Sequence, residues 1–213
     1  MSTSGSKPHS ASDNVVWEDG HISREEREQR YSQKGGVFWF TGLSGAGKST
    51  VARALEHSLF IAGRQVVHLD GDNVRHGLCG DLGFTAEDRG ENIRRIAHAA
   101  RLFLDAGFIV LASFISPSRD ARLRACEIIG QVDFFEVYVN ASVEACEARD
   151  VKGLYARARR GEIQNFTGIS APYEAPLNPT LELRTDTQSK EESVEQVSSW
   201  MRGHGFLPGD IWP

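Results

Sequence analysis

The sequence predicts an α/β fold in three layers, a parallel sheet flanked by helices on both faces. Two observations predict it. Apolar runs of strand character alternate along the chain with stretches of helical periodicity. The runs are apolar almost without interruption, as strands are when both faces of their sheet are covered. With 213 residues, 40% of them hydrophobic and 25% charged, the chain is long enough for one compact domain with a sizeable core.

The elements follow in order. Residues 1 to about 14 are Ser-rich and polar, which predicts disorder. Val15, Val16 and Trp17 make a small apolar knot. Ser23 and Glu26 stand at capping-box spacing, so a short helix starts there. Val37-Phe38-Trp39-Phe40 reads as a buried strand, followed by a Gly-rich turn and a helix through Val51, Leu55, Leu59 and Phe60 that Gly63 ends. Val66, Val67 and Leu69 form a second strand stopping at Asp70. From Thr85 to about Ala106 the spacing of Ile93, Ile96, Ala97, Ala100 and Leu104 gives a helix with one buried face. Phe108 to Phe114 is a third strand. A helix through Leu123 and Ile128 leads to a fourth, Phe134 to Val139. Residues 142 to 149 look helical. Residues 150 to 180, holding three glycines and three prolines, read as a long irregular stretch. Leu181 to Leu183 suggests a last short strand, and residues 190 to 202 a last helix.

Composition excludes several classes. Lys plus Arg number 24 against 29 Asp plus Glu, a net charge of −5, which disfavours a nucleic-acid coat. No apolar run approaches the length of a membrane span, and the N-terminus shows no apolar secretory core. Cys79, Cys126 and Cys146 are odd in number, lack CxxC spacing, and read as small buried hydrophobes. A reduced, cytoplasmic setting is expected.

The Gly-rich turn carries the chemistry. Gly42-Leu43-Ser44-Gly45-Ala46-Gly47-Lys48-Ser49, followed by Thr50, matches GxxxxGK[ST] and sits between a strand and a helix, where a phosphate-binding loop must sit. Its backbone N–H groups turn onto phosphate oxygens at a helix N-terminus, where the dipole favours negative charge. Lys48 is expected to reach the β and γ phosphates of ATP, and the Ser49 hydroxyl to hold Mg²⁺. No guanine-reading Asn-Lys-x-Asp or Thr-Lys-x-Asp exists, and the second strand ends Asp70-Gly71-Asp72 rather than Asp-Glu. A small-molecule kinase is favoured over a GTPase switch or an ATPase motor. This divides the chain into an N-terminal segment (1–30), a phosphate-loop kinase domain (31–207) with a lid at about 150–180, and a tail (208–213).

Longer motifs narrow the reading. GLSGAGKST, DGDNVRHGL at 70–78, LGFTAEDRGENIRRI at 82–96, FISP at 114–117, DVKGLY at 150–155 and GEIQNFTGISAPYEAP at 161–176 together resemble the adenylyl-sulfate kinase family. Asp19 to His21, the DGH before the acidic helix, looks familial too. The resemblance covers roughly residues 15 to 207. It implies MgATP-dependent phosphorylation of the ribose 3′-hydroxyl of adenosine 5′-phosphosulfate (APS), giving 3′-phosphoadenosine 5′-phosphosulfate, and a homodimer. Cys79 departs from the Asn found in many members.

Roles follow from position and from the resemblance together. Asp70 and Asp72 close a strand at the carboxyl edge, where ligands bind in such sheets. Asp70 suits the metal's water shell and Asp72 the acceptor hydroxyl, although DGD is also common turn chemistry. By resemblance Arg75, Arg89 and Asn92 read the acceptor anion. On spacing alone the two arginines would pass for ordinary surface residues. By resemblance Phe84 and Phe166 would sandwich the acceptor adenine; without it each reads as a core aromatic, although Phe166 lies in a polar loop, where an unburied ring would need an explanation. Ile115 and Ser116 in FISP are assigned to the acceptor, Ser116 with a catalytic or positioning job. Arg149, Lys152, Arg157, Arg159 and Arg160 form a basic run against Asp150 alone, read as a lid over phosphates. Within it Lys152, Gly153 and Leu154 contact substrate. Arg149 and Thr187 are placed on the ATP side. The alternatives are another small-molecule kinase of nucleoside-monophosphate-kinase type, or a nucleotide-binding regulatory domain without turnover.

Overall fold

The computed structural model of the protein describes residues 14, 18 and 20–207. The expected disordered N-terminus, the knot at Val15 to Trp17, Asp19 and the tail at 208–213 lie outside the described residues.

The chain opens with helix α1 (Arg24–Tyr31), and Ser23 and Glu26 form the reciprocal capping box that their spacing predicts. Arg24 bonds both oxygens of Asp133 at 2.7 and 2.8 Å, and Glu28 accepts the Gly35 N–H at 2.8 Å. A bidentate charge-assisted pair of this kind is among the stronger polar contacts, and it fastens α1 to the main body.

Five strands follow: β1 (Gly36–Thr41), β2 (Val66–Asp70), β3 (Ile109–Ser113), β4 (Phe134–Asn140) and β5 (Leu181–Arg184). They lie in the order β2-β3-β1-β4-β5, every pairing parallel. The connecting helices are α2 (Lys48–Ile61), α3 (Ala86–Asp105), α4 (Arg119–Ile129), α5 (Val143–Arg149), α6 (Leu154–Arg159) and α7 (Lys190–Gly203). Because successive side chains of a strand point to opposite faces, the apolar run of β1 serves two cores at once. Phe38 and Phe40 pack with Leu55 and Leu59 of α2 and Val197 and Met201 of α7. Val37 and Trp39 pack with Ile93, Ile96 and Leu104 of α3 and Ala125 and Ile129 of α4. Each such side chain contributes roughly 1.5–3 kcal/mol on burial, and the three-layer expectation holds.

The stretch 150–180 differs from its expectation, since it contains α6. Six residues are too few to show periodicity, and Gly153 before them reads as a breaker. The cap comes instead from Asp150, whose carboxylate accepts the N–H groups of Tyr155 and Ala156 at 3.0 Å each. Tyr155 and Ala158 then face inward.

The strand order has one consequence for function. The chain leaves β1 for β2 on one side and reaches β4 on the other, so the crossovers diverge above β1 and β3. That crevice at the carboxyl ends of the strands is where ligands bind in open α/β sheets.

Candidate active site

The phosphate loop joins β1 to α2, and its glycines are dictated by contact. A Cβ on Gly42 would stand 2.3 Å from the Val139 carbonyl oxygen, so only glycine lets the loop cross β4. Gly45 lies at φ +76°, with the Cys146 carbonyl 3.0 Å from where a Cβ would be. The loop is thereby held from below by β4 and α5. Lys48 is 8% exposed, and its Nζ donates to the Leu43 carbonyl at 2.7 Å. Burial pushes its pKa down to about 8, the behaviour of a charge held where water is scarce.

Opposite Lys48 stand two carboxylates of unlike character. The side chain of Asp70 is 3% exposed and that of Asp72 66%. Asp70 accepts the Ser49 hydroxyl at 2.6 Å and the Asp72 N–H at 3.1 Å. These bonds hold its carboxyl below the usual range although burial alone would raise it. Asp72 reaches outward and forms an ion pair with Lys152, joining the end of β2 to the segment before α6.

A second cluster, holding the residues assigned by resemblance to the acceptor, gathers side chains from distant segments. The Arg75 guanidinium lies over the Phe84 ring at 4.3 Å, and it donates to the carbonyls of Leu82 and Gly83. Arg89, in the first turn of α3, donates to the Phe84 carbonyl at 3.0 Å and to Thr167 Oγ1 at 2.6 Å. Neither arginine has a carboxylate partner among the described residues, and Arg75 and burial both lower the pKa of Arg89. Asn92 is buried on α3, and its Oδ1 has no hydrogen-bond partner.

Phe166 is 8% exposed, the core aromatic that its residue type suggests despite its polar loop, with its ring edge-on to Tyr155 at 5.0 Å in the β1–α2 core. Several expected residues sit differently. Ser116 adopts φ +37°. Its hydroxyl is buried, accepting from Trp39 Nε1 at 3.1 Å and donating to Thr41 Oγ1 at 3.0 Å, so its place is inside the fold beneath Ile115. The basic run is largely neutralised: Arg157 and Arg160 pair with Glu162, and Arg159 with Glu147. Glu147 and Glu162 lie just outside the run on either side in sequence. Arg149 and Lys152 remain turned to the site, Arg149 donating to the Gly45 carbonyl at 3.2 Å. Thr187 bonds only within its own turn, to the Arg184 carbonyl. Thr185 is the residue that touches the loop, its hydroxyl 2.6 Å from the Ala46 carbonyl. Cys79 and Cys146 are buried as expected, whereas Cys126 is only half-buried.

Sequence reasoning passed over four participants. Thr185, Tyr155, His68 and Ser113 reach the site from β2, from the ends of β3 and β5 and from α6; only Tyr155 lies in one of the motifs above, DVKGLY, and none has a spacing rule of its own. Tyr155 donates its hydroxyl to the Ser44 carbonyl at 2.9 Å. His68 and Ser113 lie beside Asp70, with His68 Nε2 2.7 Å from Ser113 Oγ. Among the described residues no helix is long and apolar enough to cross a membrane.

A family profile described as adenylylsulphate kinase matches residues 34–184. The adenylyl-sulfate kinase of Staphylococcus epidermidis is 49% identical over 198 residues, which is 93% of this chain and 100% of that protein. Among solved structures, the Mycobacterium tuberculosis APS kinase in complex with AMPPNP and APS superposes with a TM-score of 0.77 at 46% identity, covering 80% of this chain and 99% of that one. A hexameric APS kinase from Thiobacillus denitrificans is 30% identical with a TM-score of 0.63, covering 86% of this chain and 32% of that one.

Proposed function

The chain belongs to the adenylylsulphate kinase family, and from that premise we propose how its residues divide the work of the reaction. The reaction is transfer of the γ-phosphate of ATP to the 3′-hydroxyl of APS, giving 3′-phosphoadenosine 5′-phosphosulfate and ADP. Phosphoryl transfer passes through a loose transition state, so positioning and charge outweigh covalent assistance.

Residues 42–50 hold the phosphates of ATP, with Lys48 supplying positive charge at the β and γ positions. Arg149 and Thr185 brace the loop from outside through Gly45 and Ala46. Mg²⁺ prefers oxygen ligands and keeps several waters beside substrate phosphates. Ser49 and Asp70 are oxygen donors held 2.6 Å apart, a set that fits the ion. Ser49 would hold it directly and Asp70 through its water shell. When bound, it would neutralise charge developing on the β and γ oxygens. Asp72 orients the 3′-hydroxyl and accepts its proton, with Lys152 following the acceptor into the site. Arg75 and Arg89 hold the phosphosulfate, and Phe84 and Phe166 bound the adenine subsite. Asn92, Ile115, Ser116, Gly153 and Leu154 shape the rest.

The observation that carries this division is the pair Arg75 and Arg89, two half-buried guanidinium groups that, among the described residues, lack carboxylate partners across from an intact phosphate loop. A guanidinium fork suits a phosphate or sulfate group. A second guanidinium without a carboxylate would otherwise repel the first. The homodimer and the cytoplasmic setting are readings of the same kind, the second supported by three free cysteines. The division is tested by coupled ADP release with and without APS. Release that depends on APS and disappears when a nucleoside monophosphate replaces it is the expected result. Equal release with either acceptor would overturn the arginine assignment.

A further inference from the structure

The floor beneath Asp70 contains a polar group that the reaction has not yet used. In the parallel register Asp70 of β2 pairs with Ser113 of β3, and His68 with Leu111. Alternation therefore puts His68, Asp70 and Ser113 on one face of the sheet. Helix α2 crosses that face and presents Ser49, Arg53 and Glu56, residues three and four apart on one stripe. The ring of His68 is only 6% exposed. Its Nε2 lies 2.7 Å from Ser113 Oγ, and Ser113 Oγ lies 3.3 Å from Asp70 Oδ2, the oxygen that Ser49 also engages. Arg53 Nη2 stands 3.7 Å from the same oxygen, and Glu56 Oε2 is 3.8 Å from His68 Nδ1, beyond hydrogen-bond distance.

Hydrogen counting fixes the direction of this chain. Ser113 has one O–H and two acceptor lone pairs, and ionised Asp70 can only accept. If Nε2 carries the ring hydrogen, it donates to Ser113 Oγ and leaves the hydroxyl hydrogen for Asp70. The opposite tautomer would claim the Ser113 hydrogen for the ring and leave Asp70 without that bond. A bond to a carboxylate is the stronger one, so the first arrangement is preferred. We propose that His68 and Ser113 are a positioning pair for the donor half of the reaction, in which the ring directs the Ser113 proton onto Asp70 and so fixes the carboxylate that organises Ser49 and the magnesium water shell. This rests on the reading of Ser49 and Asp70 as the magnesium-binding groups. His68 touches no reacting atom and acts only through Ser113.

The test is Mn²⁺ binding to the full-length protein saturated with ADP, followed by electron paramagnetic resonance. Ser113→Ala and His68→Leu should each weaken Mn²⁺ about 10-fold, the low end of what outer-shell partners of metal sites contribute. His68→Gln keeps an N–H donor at similar reach and should bind close to wild type. The double variant Ser113→Ala with His68→Leu should be no weaker than Ser113→Ala alone, because His68 Nε2 stands 4.0 Å from Asp70 Oδ2, beyond hydrogen-bond distance, and bonds toward the carboxylate only through Ser113. Asp70→Asn is the reference and should weaken Mn²⁺ at least as much. If Asp70→Asn loses affinity while Ser113→Ala binds like wild type, the pair has no positioning role. Losses that add in the double variant would likewise overturn it. If Asp70→Asn itself binds unchanged, the magnesium reading falls and takes the pair with it. Ser113→Ala removes one oxygen only, so it keeps the test decisive even if His68→Leu fails to fold.

Discussion

The two halves of the proposed active site are built by different means. The donor half lies at one strand-to-helix junction, and its polar groups come from residues 42–50 and from strand ends in direct register, such as Asp70 with Ser113. Gly42 and Gly45 are fixed by backbone contacts to β4 and α5, and Lys48 and Asp70 are buried. The acceptor half is assembled across long sequence distances. Arg89 reaches Thr167, 78 residues away, and Lys152 reaches Asp72, 80 residues away. Several of its members are exposed, Phe84 at 63% among them. The sheet fixes the donor half before any ligand arrives, whereas side chains meeting between loops hold the acceptor half. Damage to the first should therefore remove chemistry without loosening the fold, and damage to the second should remove affinity for one substrate.

The largest effect is expected at Lys48. Lys48→Met keeps the length of the side chain and removes its charge, so turnover should fall by about 10³-fold, the scale of losing a central electrostatic contact. Stability should move the other way. The folded pKa lies near 8 against an ordinary 10.5, so the charged form is disfavoured in the fold at neutral pH. The methionine variant should melt at the same temperature or higher. A large fall in melting temperature would mean that the lysine holds the donor half together, which would break the contrast.

Next comes Asp72→Asn, which keeps the shape but removes the proton acceptor. A general base contributes about 10²- to 10⁴-fold, and the low end applies where the transition state is loose, so kcat should drop by about 10²-fold with little change in either KM. Single-turnover rates are the measurement. An unchanged chemical step would remove Asp72 from the mechanism. Arg89→Ala follows. A charge-assisted bond contributes roughly 1.5–3 kcal/mol, or about 10- to 200-fold in affinity, so APS binding should weaken on that scale while ATP binding without acceptor is spared. Equilibrium titration of both ligands decides it. Equal weakening for both would mean that Arg89, through Asn165 and Thr167, braces the whole site rather than reading the acceptor.

The same contrast explains what could be read from the sequence. The donor half was legible because its chemistry is local: GxxxxGK[ST] between an apolar strand and a helix states the loop, the cation and the hydroxyl in eight residues. The sheet was legible because buried parallel strands announce themselves as Val37 to Phe40 or Ile109 to Ser113 do. The acceptor half was legible only through resemblance to a family, since Arg75, Phe84 and Arg89 carry no spacing rule that separates them from surface residues. Helix α6 escaped because its cap, Asp150, lies four residues before Leu154, outside the usual capping position. Phe166 is legible as a core aromatic by residue type, but its polar neighbourhood in sequence says nothing of the Tyr155 ring it packs against. Ser113 and His68 were missed for a related reason: a parallel register brings them to Asp70, and register is not written in either strand alone.

The smallest effect tests the seam between the halves. Tyr155 belongs to α6, in the segment we propose to close over the acceptor, yet its hydroxyl donates to the Ser44 carbonyl of the phosphate loop at 2.9 Å. Its ring meanwhile packs edge-on against Phe166. Tyr155→Phe removes the oxygen and leaves the ring contacts, so the loss is that of one neutral hydrogen bond, about 0.5–1.5 kcal/mol, or about 2- to 10-fold in affinity. If the halves are joined through this bond, the loss should appear in both ATP and APS binding, and more strongly in the ternary complex than in either binary one. If it appears for ATP alone, Tyr155 merely trims the phosphate loop and the halves are independent. Titrating each ligand in the absence and presence of the other, in wild type and variant, separates the two outcomes. A coupling between the ligands that the phenylalanine leaves intact would place the seam elsewhere, such as at the Asp72–Lys152 pair, another contact between the strand ends and the segment around α6.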